Sequence, residues 1–165
     1  MSPAIKRIGR DRFRVRLGAE EVAIIRGLPD QLRSVLAQPE ADPVLERLFP
    51  SAYLELEDAD RDSEYRRLVH DDLLERRLAN LDVVTSTLER GAMSRRRWTV
   101  DLSEDEAMAW LGVLNDLRLA LGVRLGITED FEGDVDESDP NAPGLHLLSY
   151  LGWLEEHLVR ALASG

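Results

Sequence analysis

The sequence predicts a mainly α-helical single domain, residues 1–165, with a small antiparallel β-sheet. Three observations predict it. Apolar residues recur at helical spacing over several long stretches, and two short stretches instead alternate apolar and polar residues with period two. The length of 165 residues also suits one domain with a sizeable core. The balance of 44% apolar and 32% charged residues is that of a globular chain, not a disordered one.

The elements follow in chain order. Residues 1–17 form a basic β-hairpin: Phe13, Val15 and Leu17 alternate with Arg12, Arg14 and Arg16, Ile5 and Ile8 precede them, and Gly9-Arg10-Asp11 turns the chain. Residues 20–38 are helical, with Val22, Ile25, Leu28, Leu32, Val35 and Leu36 near one face. Gly27 and Pro29 predict a kink there, or two short helices, because proline lacks the backbone donor and crowds the preceding turn. Pro43–Leu48 adds a helical turn or two, with Asp42 as N-cap and proline at the first position. An acidic loop over 55–64 leads into a long helix from about 62 to 90, with Leu74, Leu78, Leu81, Thr85 and Leu88 on one stripe and Gly91 as its stop. Trp98, Val100 and Leu102 alternate with Arg97, Thr99 and Asp101, giving a strand that can join the hairpin as its third. Ser103-Glu104-Asp105-Glu106 has the capping-box spacing, in which serine accepts from the N3 amide and glutamate reaches back. The helix it opens runs to about Leu125. Residues 129–144 form an acidic mobile loop, since seven carboxylates face no cation and Pro140 and Pro143 follow. The final helix spans 145–163, with Leu147, Leu151, Leu154, Leu158 and Leu162 on one side. No repeat of 20–50 residues exists.

Composition narrows the function. There is no cysteine, which removes disulfides, thiolate metal sites and thiol redox switching within the chain. The N-terminus alternates apolar and basic residues without the apolar core of a secretory signal. No stretch reaches the roughly 20 apolar residues of a membrane span. A soluble cytoplasmic protein without membrane association is the expectation. Net charge is −11, a field that repels nucleic acid at long range. The charge is uneven: residues 1–17 hold six cations against Asp11, a net +5, which leaves −16 on the remainder.

Motifs for catalysis or metal binding fail at specific positions. Asp58, Asp60 and Asp62 resemble the start of a calcium loop, but the glycine and the bidentate glutamate it requires are replaced by Ser63 and Val69. A start at Asp134 meets Asp139 and Leu145 instead. His70, His146 and His157 include no pair four apart on one helix, and Trp153 four residues before His157 suggests a stacked pair. No nucleophile elbow is present, and with Lys6 the only lysine no phosphate loop exists. No catalytic residue, metal site or cofactor is assigned.

Two constellations remain. Arg12, Arg14 and Arg16, with Arg95, Arg96 and Arg97, would form a single positive face if the two strands share a sheet. Three readings of that face stay open: an arginine-rich solvent face bonded to the protein's own acidic loops, a surface for a protein partner, and a phosphate-binding surface for nucleic acid. On the helix that Ser103 opens, Ala107, Trp110, Leu111, Leu114, Leu117, Leu121 and Leu125 line one face, and Val113 and Leu119 extend burial, so this helix is central. Asn115, Asp116 and Arg118 then lie near buried surroundings, either as a core polar network or as a recognition patch. Tyr150 and Trp153 widen the apolar surface of the last helix, which suits a homodimer.

The segment from Leu102 to Thr128 resembles the signature helix of a small actinobacterial family catalogued as a domain of unknown function. Trp110-Leu111, followed by Leu114-Asn115-Asp116-Leu117-Arg118-Leu119, carries the resemblance, and Ile5-Lys6-Arg7 with Phe13, Val15 and Leu17 extends it over most of the chain. It implies an oxidative-stress or transcriptional regulator and brings no catalytic residues with it. Direct thiol sensing has no cysteine to act through. The leading expectation is therefore a non-enzymatic regulator acting through protein–protein contacts in stress-responsive transcription. The alternatives are a DNA-binding regulator using the arginine face, and an enzyme of unfamiliar type with a site near Asn115, Asp116 and Arg118.

Overall fold

The computed structural model describes residues 4–38, 43–49, 59–127 and 135–165. Its elements are β1 (Ile5–Gly9), β2 (Arg12–Gly18), α1 (Ala19–Leu36), α2 (Pro43–Leu48), α3 (Ala59–Arg90), β3 (Ala92–Ser94), β4 (Arg97–Ser103), α4 (Glu104–Arg124) and α5 (Ala142–Ala163). The fold is mainly helical with one small antiparallel sheet, as the sequence predicts.

The sheet has four strands in the order β1-β2-β4-β3. The expected hairpin and third strand both form: Val15 pairs with Ile5 on one side and with Val100 on the other. β3 has no counterpart among the strands expected from the sequence. It turns into β4 through Arg95 and Arg96, both left-handed at φ 51° and 64°. Two-residue hairpins of this shape favour asparagine and glycine, so Arg-Arg gives no turn signal.

Phe13, Val15, Leu17, Trp98, Val100 and Leu102 project from the inner face of the sheet into one core shared with all five helices. α4 is the central helix. α3 lies antiparallel to it, joined by Arg90 with Glu106, Thr87 with Trp110, and Arg77 with Asp116. Trp110 Nε1 donates to Thr87 Oγ1 at 2.8 Å, and that hydroxyl donates to the Val84 carbonyl at 2.7 Å. The capping box at Ser103 is complete: Glu106 N donates to Ser103 Oγ at 3.2 Å and Ser103 N to Glu106 Oε1 at 2.9 Å. Arg7 stacks on Phe13 and donates to the carbonyls of Ala161 and Leu162, so β1 caps the end of α5.

Two sequence expectations need correction and a third is narrowed. Of the kink or two short helices expected at Pro29, the two helices do not form: α1 runs from Ala19 to Leu36 as one helix with Pro29 buried inside it. An interior proline costs about 3 kcal/mol. Val22, Ile25, Leu28, Leu32 and Leu36 bury along one stripe across it, each side chain stabilising by about 1.5–3 kcal/mol. α3 begins at Ala59, within the stretch expected to be an acidic loop. α5 begins at Ala142, so Pro143 opens the helix where it was expected to end a loop through residue 144. Before it, Asp136 Oδ1 accepts from Ser138 N and Oγ, and Asp139 Oδ1 accepts from Asn141 N, which builds ordered turns from acidic residues. The expected N-cap Asp42, the acidic loop over 55–58 and the acidic loop over 129–134 lie outside the described residues.

Candidate functional site

The outer face of the sheet is built by strand alternation. With Phe13, Val15 and Leu17 buried, Arg12, Arg14 and Arg16 must point the other way, and the register sets them opposite Ser103, Asp101 and Thr99. Lys6 sits across from Arg14 on β1, and Arg97 joins the same face from β4. Five cations thus share a face with one carboxylate, Asp101.

The two ends of this face differ. At one end Arg14 binds Asp101 through two bonds, Nε to Oδ1 at 2.7 Å and Nη2 to Oδ2 at 3.1 Å, and Arg12 adds a third at 3.2 Å. The Arg14 bonds hold the Asp101 carboxyl below its ordinary range. Arg90 donates to the Asp101 carbonyl and makes a two-bond pair with Glu106, whose carboxyl is held low by that pair. At the other end Arg16 and Arg97 are exposed, with Arg95 and Arg96 on the adjoining turn. Among the described residues, these four arginines form no ion pair. The arginines that the sequence singled out are therefore brought together and then divided: Arg12 and Arg14 are engaged by Asp101, while Arg16, Arg95, Arg96 and Arg97 form a free basic corner. Asp101 is the residue the sequence reading missed here, since its role follows from strand register, which sequence does not fix.

Asn115, Asp116 and Arg118 do not converge. Asn115 is exposed. Arg118 is 43% exposed and pairs with Glu155 of α5, beside Gly152. Asp116 alone is buried, at 6% exposure, and faces α3. Arg77 Nε lies 3.3 Å from its carboxylate but is not aimed at it, so the pair is held by charge more than by a hydrogen bond. Burial pushes the Asp116 carboxyl up to about 6, with Arg77 opposing. The Arg77 guanidinium also stacks on Phe49, 4.8 Å from its ring centroid, and His70 packs on the same ring at 4.4 Å. Arg77, Phe49 and Glu155 carry no local sequence signal, because each meets its partner only through tertiary packing.

The histidines His146 and His157 take structural places. His157 packs on Trp153 at 4.2 Å, and His146 meets Glu137 at 2.8 Å. Trp153 also stacks on Tyr150, whose hydroxyl donates to Glu21. Among the described residues no group of three or more His, Cys, Asp or Glu side chains could hold a metal ion. Asp58 and Asp134 lie outside the described residues, as do the side chains of Asp60 and Asp62. Among the described residues no helix is long and apolar enough to cross a membrane.

Comparison with known proteins gives the chain a family context. Proteins named oxidative stress regulator AosR, from Mycobacterium bovis and Mycobacterium tuberculosis, are 27% identical over 185 residues, covering 92% of this chain and 82% of their own. A Mycobacterium leprae relative is 29% identical over 154 residues, covering 87% of this chain and 67% of its own. No solved structure matches. Residues 3–162 match the family described as Domain of unknown function (DUF2017), and the chain belongs to that family.

Proposed function

We propose that this protein is a non-enzymatic cytoplasmic regulator in an oxidative-stress response, acting by protein–protein contact through the arginine corner of its sheet. The observation that carries the reading is the free basic corner of Arg16, Arg95, Arg96 and Arg97 on a chain of net charge −11. An acidic surface is the complement of such a corner. The names of the mycobacterial relatives support the regulatory part of the reading. The divergence of Asn115, Asp116 and Arg118 onto separate surroundings supports setting aside the enzyme alternative.

The test is affinity capture from the native host with the wild-type chain and with Arg16→Glu/Arg97→Glu. A discrete partner is expected with wild type and is lost with the variant, while a chain carrying two reversals on exposed Arg76 and Arg160 keeps it. Capture that is equal for all three chains contradicts the corner as the binding surface. Nucleic acid is the competing ligand for the same arginines. It would be recognised by retention on duplex DNA that falls steeply with salt and with Arg12, Arg14 and Arg16 changed to alanine.

A further inference from the structure

With no cysteine in the chain, methionine thioethers are its principal sites for two-electron oxidation. Two described methionines are exposed, Met93 at 48% and Met108 at 51%. They differ in what lies beside them. Met93 is on the edge strand β3 and is the direct ladder partner of Trp98. Trp98 is fully buried, yet its indole Nε1–H has no acceptor among the described residues. The indole edge lies on the bare α-carbon of Gly91: a β-carbon there would sit 2.5 Å from Nε1 and 2.2 Å from the ring. As direct ladder partners Met93 and Trp98 project to the same face of the sheet, and Gly91 lies one residue before β3. Methionine has three rotatable bonds, and cross-strand partners are close enough for such a side chain to reach. Met108 belongs to α4 and has no ladder partner of this kind.

We propose that Met93 is an oxidant-modification site whose sulfoxide is read by Trp98. Hydrogen peroxide supplies the oxygen. The Met93 Sδ lone pair attacks one peroxide oxygen, an S–O bond forms and the O–O bond breaks. The departing hydroxide takes the remaining proton and leaves as water. Sulfur loses two electrons and the peroxide gains them. The thioether is a weak acceptor, whereas the sulfoxide oxygen is a strong one. It accepts the hydrogen bond that Trp98 Nε1 otherwise lacks. Oxidation therefore converts an unsatisfied buried donor into a satisfied one and fixes β3 against β4, next to Arg95 and Arg96. Use of this change as a signal rests on the regulator reading above; the chemistry does not.

The full chain, labelled with ¹⁵N, is treated with hydrogen peroxide and followed by mass spectrometry and by its indole N–H resonances. Three tryptophans give three such signals, from Trp98, Trp110 and Trp153. Trp98→Phe assigns the first; should that variant fail to fold, Trp153→Phe and Thr87→Val identify the other two. The expected result is a gain of about 16 Da on the Met93 peptide, with the Trp98 signal moving downfield and exchanging more slowly with solvent. Met93→Leu abolishes the shift, Met108→Leu keeps it, and methionine sulfoxide reductases reverse it. Oxidation of Met93 that leaves the Trp98 signal in place overturns the proposal, as does oxidation of Met108 while Met93 stays reduced. The readout uses purified protein without a partner, so its failure leaves the regulator reading standing, and failed partner capture leaves this result untouched.

Discussion

Asp116 and Arg77 form a charged pair in which burial outweighs attraction. The carboxyl is raised from its ordinary 3.8 to about 6. Between those values the folded protein keeps a proton that the unfolded chain releases. The contribution of Asp116 to stability is therefore greatest below about pH 4 and is lost as pH rises through about 6. Arg77→Met should raise this carboxyl further. It should destabilise by about 3 kcal/mol at pH 8, where it leaves a buried charge unpaired, and by distinctly less at pH 5. Denaturant unfolding at the two pH values checks this, and equal losses would contradict the assignment. Thr87 poses a simpler case. Thr87→Val deprives the Trp110 indole of its acceptor and should cost about 1–3 kcal/mol with little change in volume. None of these partnerships was legible in the sequence. Asp116 and Arg77 are 39 positions apart, and helical spacing only says which residues share a face. It could not tell that of Asn115, Asp116 and Arg118, all expected near buried surroundings, only Asp116 turns inward while the other two are exposed.

At the scale of elements, legibility depended on whether the signal was local. The capping box at Ser103, the period-two strands and the stop at Gly91 were all readable because each lies within a few residues. Ser103→Ala should cost about 1 kcal/mol. Glu106→Gln should cost more at neutral pH than at pH 3, because a carboxyl held low contributes above its unfolded pKa and loses that contribution as pH falls through its folded one. The turn between β3 and β4 was not readable, since two arginines occupy left-handed positions that ordinarily call for Asn-Gly. A non-glycine residue in that conformation costs about 1–2 kcal/mol. Arg95→Asn/Arg96→Gly should therefore raise the melting temperature while weakening partner binding, a trade expected where strain serves a surface. Higher stability with unchanged binding would show that the strained turn has no part in recognition. Pro29 does not divide α1 into two helices: the local rule against proline is sound, and burial of the stripe across it outweighs the break.

The whole molecule sets a basic sheet face against a strongly acidic body. The inner face of the sheet is closed by α4 and its neighbours, which leaves the outer face as the broad surface on which strand geometry arrays arginines. Asp101 neutralises one end, so the usable charge gathers at Arg16, Arg95, Arg96 and Arg97. Complementary charge speeds encounter and selects partners more than it adds affinity. The partner should accordingly associate more slowly as salt rises, with a smaller change in dissociation rate. The most direct test of the basic corner as an interaction surface is photo-crosslinking in the native host, with the reactive residue at Thr99, which lies opposite Arg16 on the outer face. The account predicts one discrete protein adduct that disappears with Arg16→Glu/Arg97→Glu and is absent when the reactive residue stands at exposed Asp72. The same adducts from both positions, or none from Thr99, would contradict it.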